Sequence, residues 1–97
     1  LQLFISLMTS SDNKLVAVVK YVDMPEEMQN DAVELCYQGM EKFGEECKIA
    51  TYLKKEFDNR YGKHWHCVVG KSFGSYISHE ENKFIFFHLN DYYVILY

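Results

Sequence analysis

Two consecutive amphipathic helix patterns, set between strand patterns, constrain the fold of this chain most. The first begins after Asp23 and ends near Gly44, and the second runs from about Glu46 to Tyr61, with Gly62 as its stop. Apolar residues recur every three or four positions in both, as in helices that bury one face. The two stripes comprise Met28, Ala32, Leu35, Cys36, Met40 and Phe43, and then Ile49, Ala50, Leu53, Phe57 and Tyr61.

A capping box is predicted at the start of the first helix. Asp23 would accept hydrogen bonds from the free N–H groups of the first turn, and Glu26 would complete the Asp-x-x-Glu pattern. Pro25 within that turn lacks only a donor that has no helical partner anyway.

Strand patterns lie on both sides of the helices. Leu15–Val22 is rich in β-branched residues and predicts a first strand. Four more strand patterns follow the helices: Trp65–Gly70, Phe73–His79, Lys83–Leu89 and Tyr92–Tyr97. The order β-α-α-β-β-β-β predicts an α+β domain with an antiparallel sheet and both helices on one face.

Residues 15–97 are expected to form this single domain, preceded by a flexible extension over residues 1–14. The first seven residues are apolar but lack a basic region and a small-residue cleavage site, so they make a poor signal peptide. We expect residues 1–7 to be a leader or an expression artefact.

Aromatic residues make up 16% of the 97 positions, which is more than a small core easily encloses. A chain of this size hides roughly two-thirds or less of its unfolded surface. Some aromatic side chains are therefore expected on an interface or in a binding groove.

The charge balance argues against nucleic acid as a partner, since the net charge is -4. The charges separate along the chain: residues 23–46 hold eight acids and one lysine, and residues 48–71 hold six bases and two acids. This indicates two solvated helix faces that attract one another. Three cysteines without a Cys-x-x-Cys pair favour a reducing cytoplasm, and no apolar run approaches the ~18 residues of a membrane span.

No cofactor and no catalysis are expected. His64 and His66 share one face of a strand while Cys67 points to the other, so the three do not converge on one metal ion. Cys67 could be paired with His79 or His88 as a nucleophile, but it alternates with apolar residues on the predicted buried face. A buried cysteine in such surroundings is an inert small hydrophobe.

The segment Phe73–His79 combines small residues with aromatic ones, and further aromatic residues follow at Phe84–His88 and Tyr92. An exposed strand edge lined by aromatic rings suits β-augmentation, in which a partner peptide adds a strand. The alternative is an ordinary sheet whose outer face is exposed to solvent. The residues alone do not favour peptide binding over this alternative.

Five segments in this order and spacing resemble the eight-kilodalton light chain family of cytoplasmic dynein: Asp23–Met28, Lys54–Asp58, Trp65–Gly70, Phe73–Tyr76 and His79–Glu80. The resemblance covers about residues 15–97. It implies a symmetric homodimer in which the third of five strands crosses to the partner's sheet. It also implies a non-catalytic, cytoplasmic, microtubule-associated hub. Such a hub binds dynein intermediate chain and other disordered peptides with a Thr-Gln-Thr-like core by strand addition in two grooves.

The same resemblance implies the site residues. The peptide-binding groove would comprise Glu46, Cys47, Ser72, Phe73, Gly74, Ser75, Tyr76, Ile77, Ser78, His79, Phe84, Phe86, His88 and Tyr93. The dimer interface would comprise Lys54, Trp65, His66, Phe73, Tyr76 and Ser78. Glu46 and Cys47 would hold the ligand's glutamine at a helix N-terminus, and protonation of His66 would weaken the dimer below about pH 5 to 6.

Four positions depart from the family's usual residues: Cys47 replaces a lysine, Ser72 an asparagine, His88 a tyrosine and Tyr93 a small residue. A large Tyr93 would fill part of the groove, which predicts an altered ligand preference. The alternative function is a motor-independent structural or scaffold dimer that uses the same groove.

Overall fold

The computed structural model describes residues 3–8 and 14–97, with side chains from residue 17 onward. Its elements follow the order β1-β2-α1-α2-β3-β4-β5. Their bounds are β1 Leu3–Met8, β2 Lys14–Asp23, α1 Glu26–Lys42, α2 Glu46–Tyr61, β3 Cys67–Gly70, β4 Phe84–Leu89 and β5 Tyr92–Leu96.

The strands form one five-stranded sheet in the order β1-β2-β4-β5-β3, and every neighbouring pair is antiparallel. The two helices cover one face of this sheet, because their apolar stripes and alternate strand residues share one buried cluster. The predicted α+β class is therefore confirmed. Within residues 3–8 and 14–97 the opposite face carries no helix, and it is called the helix-free face below.

The helix-side core has an aromatic pair at its centre. The Phe57 ring meets Trp65 edge to face, with centroids 4.9 Å apart, and both side chains are almost completely buried. Burial of one such side chain stabilises a fold by about 1.5–3 kcal/mol. Trp65, which the resemblance places at the dimer interface, is thus already enclosed by its own chain.

The start of α1 differs from the predicted capping box. Pro25 occupies the N-cap position and no side chain caps the helix. Asp23 is the last residue of β2 instead, and its Oδ2 accepts a hydrogen bond from the backbone N–H of Asn82 at 3.1 Å. The strand extends to Asp23 by pairing with Phe84, and the Asp23 carboxylate binds the backbone of Asn82, just before β4, instead of capping the helix.

The end of α2 follows the prediction. Gly62 has a φ of 85°, in the left-handed region that glycine adopts without strain, and it closes the helix.

Two segments differ from the predicted strands. Leu3–Met8 forms β1 and pairs with β2, although a flexible extension is expected there from the sequence. Its uncharged residues are compatible with a β-strand as well as with a leader segment. Residues 73–79 belong to no strand of this chain, since their backbone finds no ladder partner within the described residues.

Candidate functional site

Strand β3 leaves one edge of the sheet open. His66 and Tyr97 exchange both backbone hydrogen bonds, at 2.6 and 3.0 Å, so this pair sets the alternation of the ladder with β5. In an antiparallel ladder every second residue hydrogen-bonds to the neighbouring strand, so the backbone N–H and C=O groups of Val68 and Gly70 point toward β5. The N–H and C=O groups of Cys67 and Val69 therefore point outward, away from β5.

This open edge faces helix α2 across a groove of about 720 Å³. We call it the α2–β3 groove. It is lined by Glu46, Cys47, Ala50, Thr51, Lys54, Lys55, Trp65, His66, Cys67, Val68, Val69 and Tyr97.

The first turn of α2 forms one end of the groove. Glu46 and Cys47 are exposed there, and the Cys47 thiol is free. The other two cysteines differ, because burial raises the pKa of Cys36 to about 12 and raises that of Cys67 as well. Cys47 is thus the most exposed of the three thiols.

Asp58 fixes the loop between α2 and β3. Its Oδ1 accepts the backbone N–H of Trp65 at 2.9 Å, and its Oδ2 accepts from the Lys54 ammonium. The hydrogen bond from Lys54, and then that from Trp65, hold the pKa of Asp58 below its usual value. Lys54 therefore lines the groove while it anchors the strand on the opposite wall.

The helix-free face of the sheet is aromatic. Phe84 and Ile95 are buried there but do not belong to the helix-side cluster. The Phe86 ring lies 6.1 Å from Tyr93, and Tyr93 lies 4.3 Å from its cross-strand neighbour His88. Strand alternation brings these rings to one face.

Segment 73–80 makes ring contacts with this face near its two ends. The Phe73 ring is 6.2 Å from Phe86, and the His79 ring stacks on Phe84 at 4.6 Å. Tyr76, in the middle, is fully exposed. Among the described residues, no backbone group from Lys71 to His79 bonds to another backbone group.

The predicted site residues fall into two groups. Five of them meet in the α2–β3 groove: Glu46, Cys47, Lys54, Trp65 and His66. Ser72, Phe73, Phe86 and Tyr93 instead line a separate cavity of about 310 Å³ together with Lys71. The exposed Gly74, Ser75, Tyr76 and Ser78 line neither, and nor do Ile77, His79, Phe84 and His88.

Several residues of the groove wall lie outside the predicted site, namely Ala50, Thr51, Lys55, Cys67, Val68, Val69 and Tyr97. The flank of α2 could have been found, because Ala50 and Thr51 lie one turn from Glu46 and Cys47. The β3 residues could not, because strand order decides which edge stays open.

Together these features define a small α+β domain in which two helices cover one face of an antiparallel sheet and a free strand edge lies beside a helix. A family model described as dynein light chain type 1 matches residues 16–97. The chain belongs to the dynein light chain family.

Solved structures with this fold include the dynein light chain-like domain of FhCaBP2, a calcium-binding protein of Fasciola hepatica. Its mercury derivative matches with a TM-score of 0.70 and 24% identity, over 82% of this chain and 88% of that one. Its native form matches with a TM-score of 0.70 and 23% identity, over 82% and 87%. These likenesses concern the fold.

Within the described ranges, no three histidine, cysteine or acidic side chains come together as a metal site would require. The two helices are also too short or too polar to cross a membrane.

Proposed function

We propose that this chain is a non-catalytic dimeric hub that binds short linear peptides by strand addition. Segment 73–80 of each protomer pairs with the open β3 edge of its partner. The peptide then adds to the exchanged strand in the α2–β3 groove. Dynein intermediate chain and other partners with Thr-Gln-Thr-like motifs are the expected ligands, and the expected location is the cytoplasmic dynein complex.

The observation that carries this proposal is that one chain holds both halves of an unfinished ladder. Cys67 and Val69 present outward backbone groups at the edge, and residues 71–79 make no backbone–backbone hydrogen bond among the described residues. Unpaired edges are templates for pairing with another chain. Exchange between two copies satisfies both sets of groups at once.

The helix-free face supports the same arrangement. Rings such as Phe86 and Tyr93 are only half-buried in one protomer. A second sheet placed against this face would bury them, and each Å² of apolar surface removed from water stabilises the assembly by about 25 cal/mol. Two grooves on one dimer would then make binding to a dimeric partner bivalent.

The groove also supports a peptide as the ligand. In the proposed dimer the exchanged segment forms its strand wall and offers the backbone groups of its outer edge. The other wall is the first turns of α2, where N–H groups lack helical partners. Cys47 stands at this end with a free thiol in place of the family's lysine. A ligand glutamine would lie beside it, without competition from a lysine ammonium.

Calorimetric titration with a Thr-Gln-Thr peptide from a dynein intermediate chain tests the proposal, alongside sedimentation of the free protein. We expect a dimer that binds one peptide per protomer and a bound peptide that slows alkylation of Cys47. A Cys47→Ser variant provides the labelling control. A folded monomer, or a dimer that binds no such peptide, would contradict the hub proposal.

The motor assignment needs its own comparison. A matched peptide with Thr-Gln-Thr changed to Ala-Ala-Ala should not bind. If the dimer binds Thr-Gln-Thr peptides from other proteins but not the one from dynein intermediate chain, the motor-independent scaffold is the correct function.

A further inference from the structure

A third cavity lies on the outer side of α2, facing α1 rather than β3. It has a volume of about 280 Å³ and is lined by Phe43, Lys48, Thr51, Tyr52 and Lys55. We call it the outer slot. Small-molecule pockets measure roughly 300–1,000 Å³, so a cavity of this size suits a single apolar side chain.

The aromatic walls of the outer slot are held in place by the helix pair. The rings of Phe43 and Tyr52 are tilted against each other, with centroids 6.0 Å apart. Tyr52 donates a hydrogen bond to the Gln38 side chain at 3.1 Å, and its ring packs where Gly39 leaves room for it. The slot is therefore preformed and does not depend on ligand to order it.

The rim of the outer slot is basic although the chain as a whole is acidic. The Lys42 ammonium lies 5.0 Å from the Tyr52 ring centroid, and Lys48 and Lys55 line the slot directly. Glu45 is the acid paired with Lys48, at 3.6 Å, and both side chains are largely exposed. Such a rim favours an acidic segment and disfavours a basic one.

The outer slot is continuous with the α2–β3 groove. Thr51 and Lys55, one helical turn apart, line both cavities and form the ridge between them. A helix with its side chains is about 10–12 Å wide, and an extended chain advances about 3.3 Å per residue. About four residues are therefore enough to carry a peptide from the groove over the ridge.

We propose that the outer slot binds a flanking part of the same ligand peptide, an apolar side chain between acidic residues about four positions beyond the strand-forming core. This inference rests on the proposed peptide-binding function and adds a specificity element to it. Partners would then be distinguished by their flanks as well as by their core.

Calorimetry with extended peptides tests the inference. The Thr-Gln-Thr core peptide is lengthened at either end by Gly-Ser-Gly-Ser followed by Glu-Leu-Glu. We expect one of the two extensions to tighten binding about tenfold, as burial of one leucine allows. Extensions that end in Glu-Ser-Glu or Lys-Leu-Lys should bind within about twofold of the core.

Three protein variants complete the design. The double change Lys42→Gln with Lys48→Gln removes rim charge without touching a residue of the groove, and should abolish most of the gain while core binding is kept. Lys63→Gln, which removes one positive charge from the exposed loop after α2, should preserve the gain. The single change Lys48→Gln is its charge-matched counterpart at the rim and should lose part of the gain.

The outcomes separate the two proposals. If the core peptide does not bind the folded protein, the proposed function fails. If the core binds but neither acidic extension adds affinity, the outer slot is not a ligand site. The same conclusion follows if all extensions add equally, or if the double variant keeps the full gain.

Discussion

The alternation of backbone groups along β3 yields a pair of proline substitutions with opposite consequences. Val69 directs its N–H to the open edge, whereas Val68 directs its N–H to β5. Proline lacks this donor and is tolerated on an edge strand where the missing N–H faces outward. Val69→Pro should therefore leave the protomer folded and remove a donor that the proposed strand exchange requires.

The size of the effect follows from the symmetry of the proposed dimer. Each protomer contributes one β3 edge, so Val69→Pro removes two donors per dimer. A carbonyl left unsatisfied on burial costs about 1–3 kcal/mol. The two edges together lose about 2–6 kcal/mol, which weakens the dimer roughly 30-fold to more than 10⁴-fold.

Sedimentation equilibrium measures the dimer constant, and urea unfolding followed by Trp65 fluorescence measures the protomer. Val69→Ala is the matched control, since it keeps the N–H and should remain a dimer. Val68→Pro should lower the free energy of unfolding by about 1–3 kcal/mol instead, because it breaks the ladder with β5. A Val69→Pro protein that dimerises as tightly as the wild type would refute the assignment of β3 as the exchanged edge.

Three further predictions concern ionisable groups. Asp58→Asn should lower the free energy of unfolding at neutral pH and reduce its fall at acid pH, as urea titrations at several pH values would show. A carboxyl whose pKa is depressed in the folded state stabilises the fold above the unfolded pKa, and this stabilisation is lost as the pH falls. The hydrogen bond that Tyr61 donates to Asp31 raises the pKa of Tyr61 from 10.0 to about 12. The free energy of unfolding, measured by urea titration, should therefore fall as the pH rises from about 10 to about 12, and it should fall less in Tyr61→Phe. At pH 8, iodoacetamide should modify Cys47 well before Cys36, which is buried, and Cys67, which is half-buried and has a raised pKa, as peptide mass mapping would show; equal rates would contradict these assigned environments.

The helices could be predicted from the sequence because their signals are local. Apolar spacing marked the buried stripe of α2, in which Ile49, Leu53 and Phe57 are indeed buried. Gly62 marked its end through a backbone conformation that other residues rarely adopt. Such features depend on neighbours within one or two turns, so they appear directly in the order of residues.

The groove could be predicted only in part, because it depends on distant pairing. Asp23 has the side chain of a helix cap, yet its carboxylate binds Asn82, 59 positions away. Phe73–His79 has the pattern of a strand, but a strand also requires a neighbour, and none is present among the described residues of this chain. Strand order, which decides that β3 lies at an edge, has no local signal at all.

The aromatic surplus now divides between two environments. Phe57, Trp65 and Phe87 are enclosed on the helix side, where they form the protomer's own core. Phe86 and Tyr93 lie half-buried on the helix-free face, and Tyr76 extends into solvent from a segment without a ladder. A single protomer cannot bury this second group of aromatic side chains, because no helix of the described residues covers that face. A second sheet would bury them and leave the proposed grooves at its margins, so the same incomplete packing would drive assembly and create the peptide site.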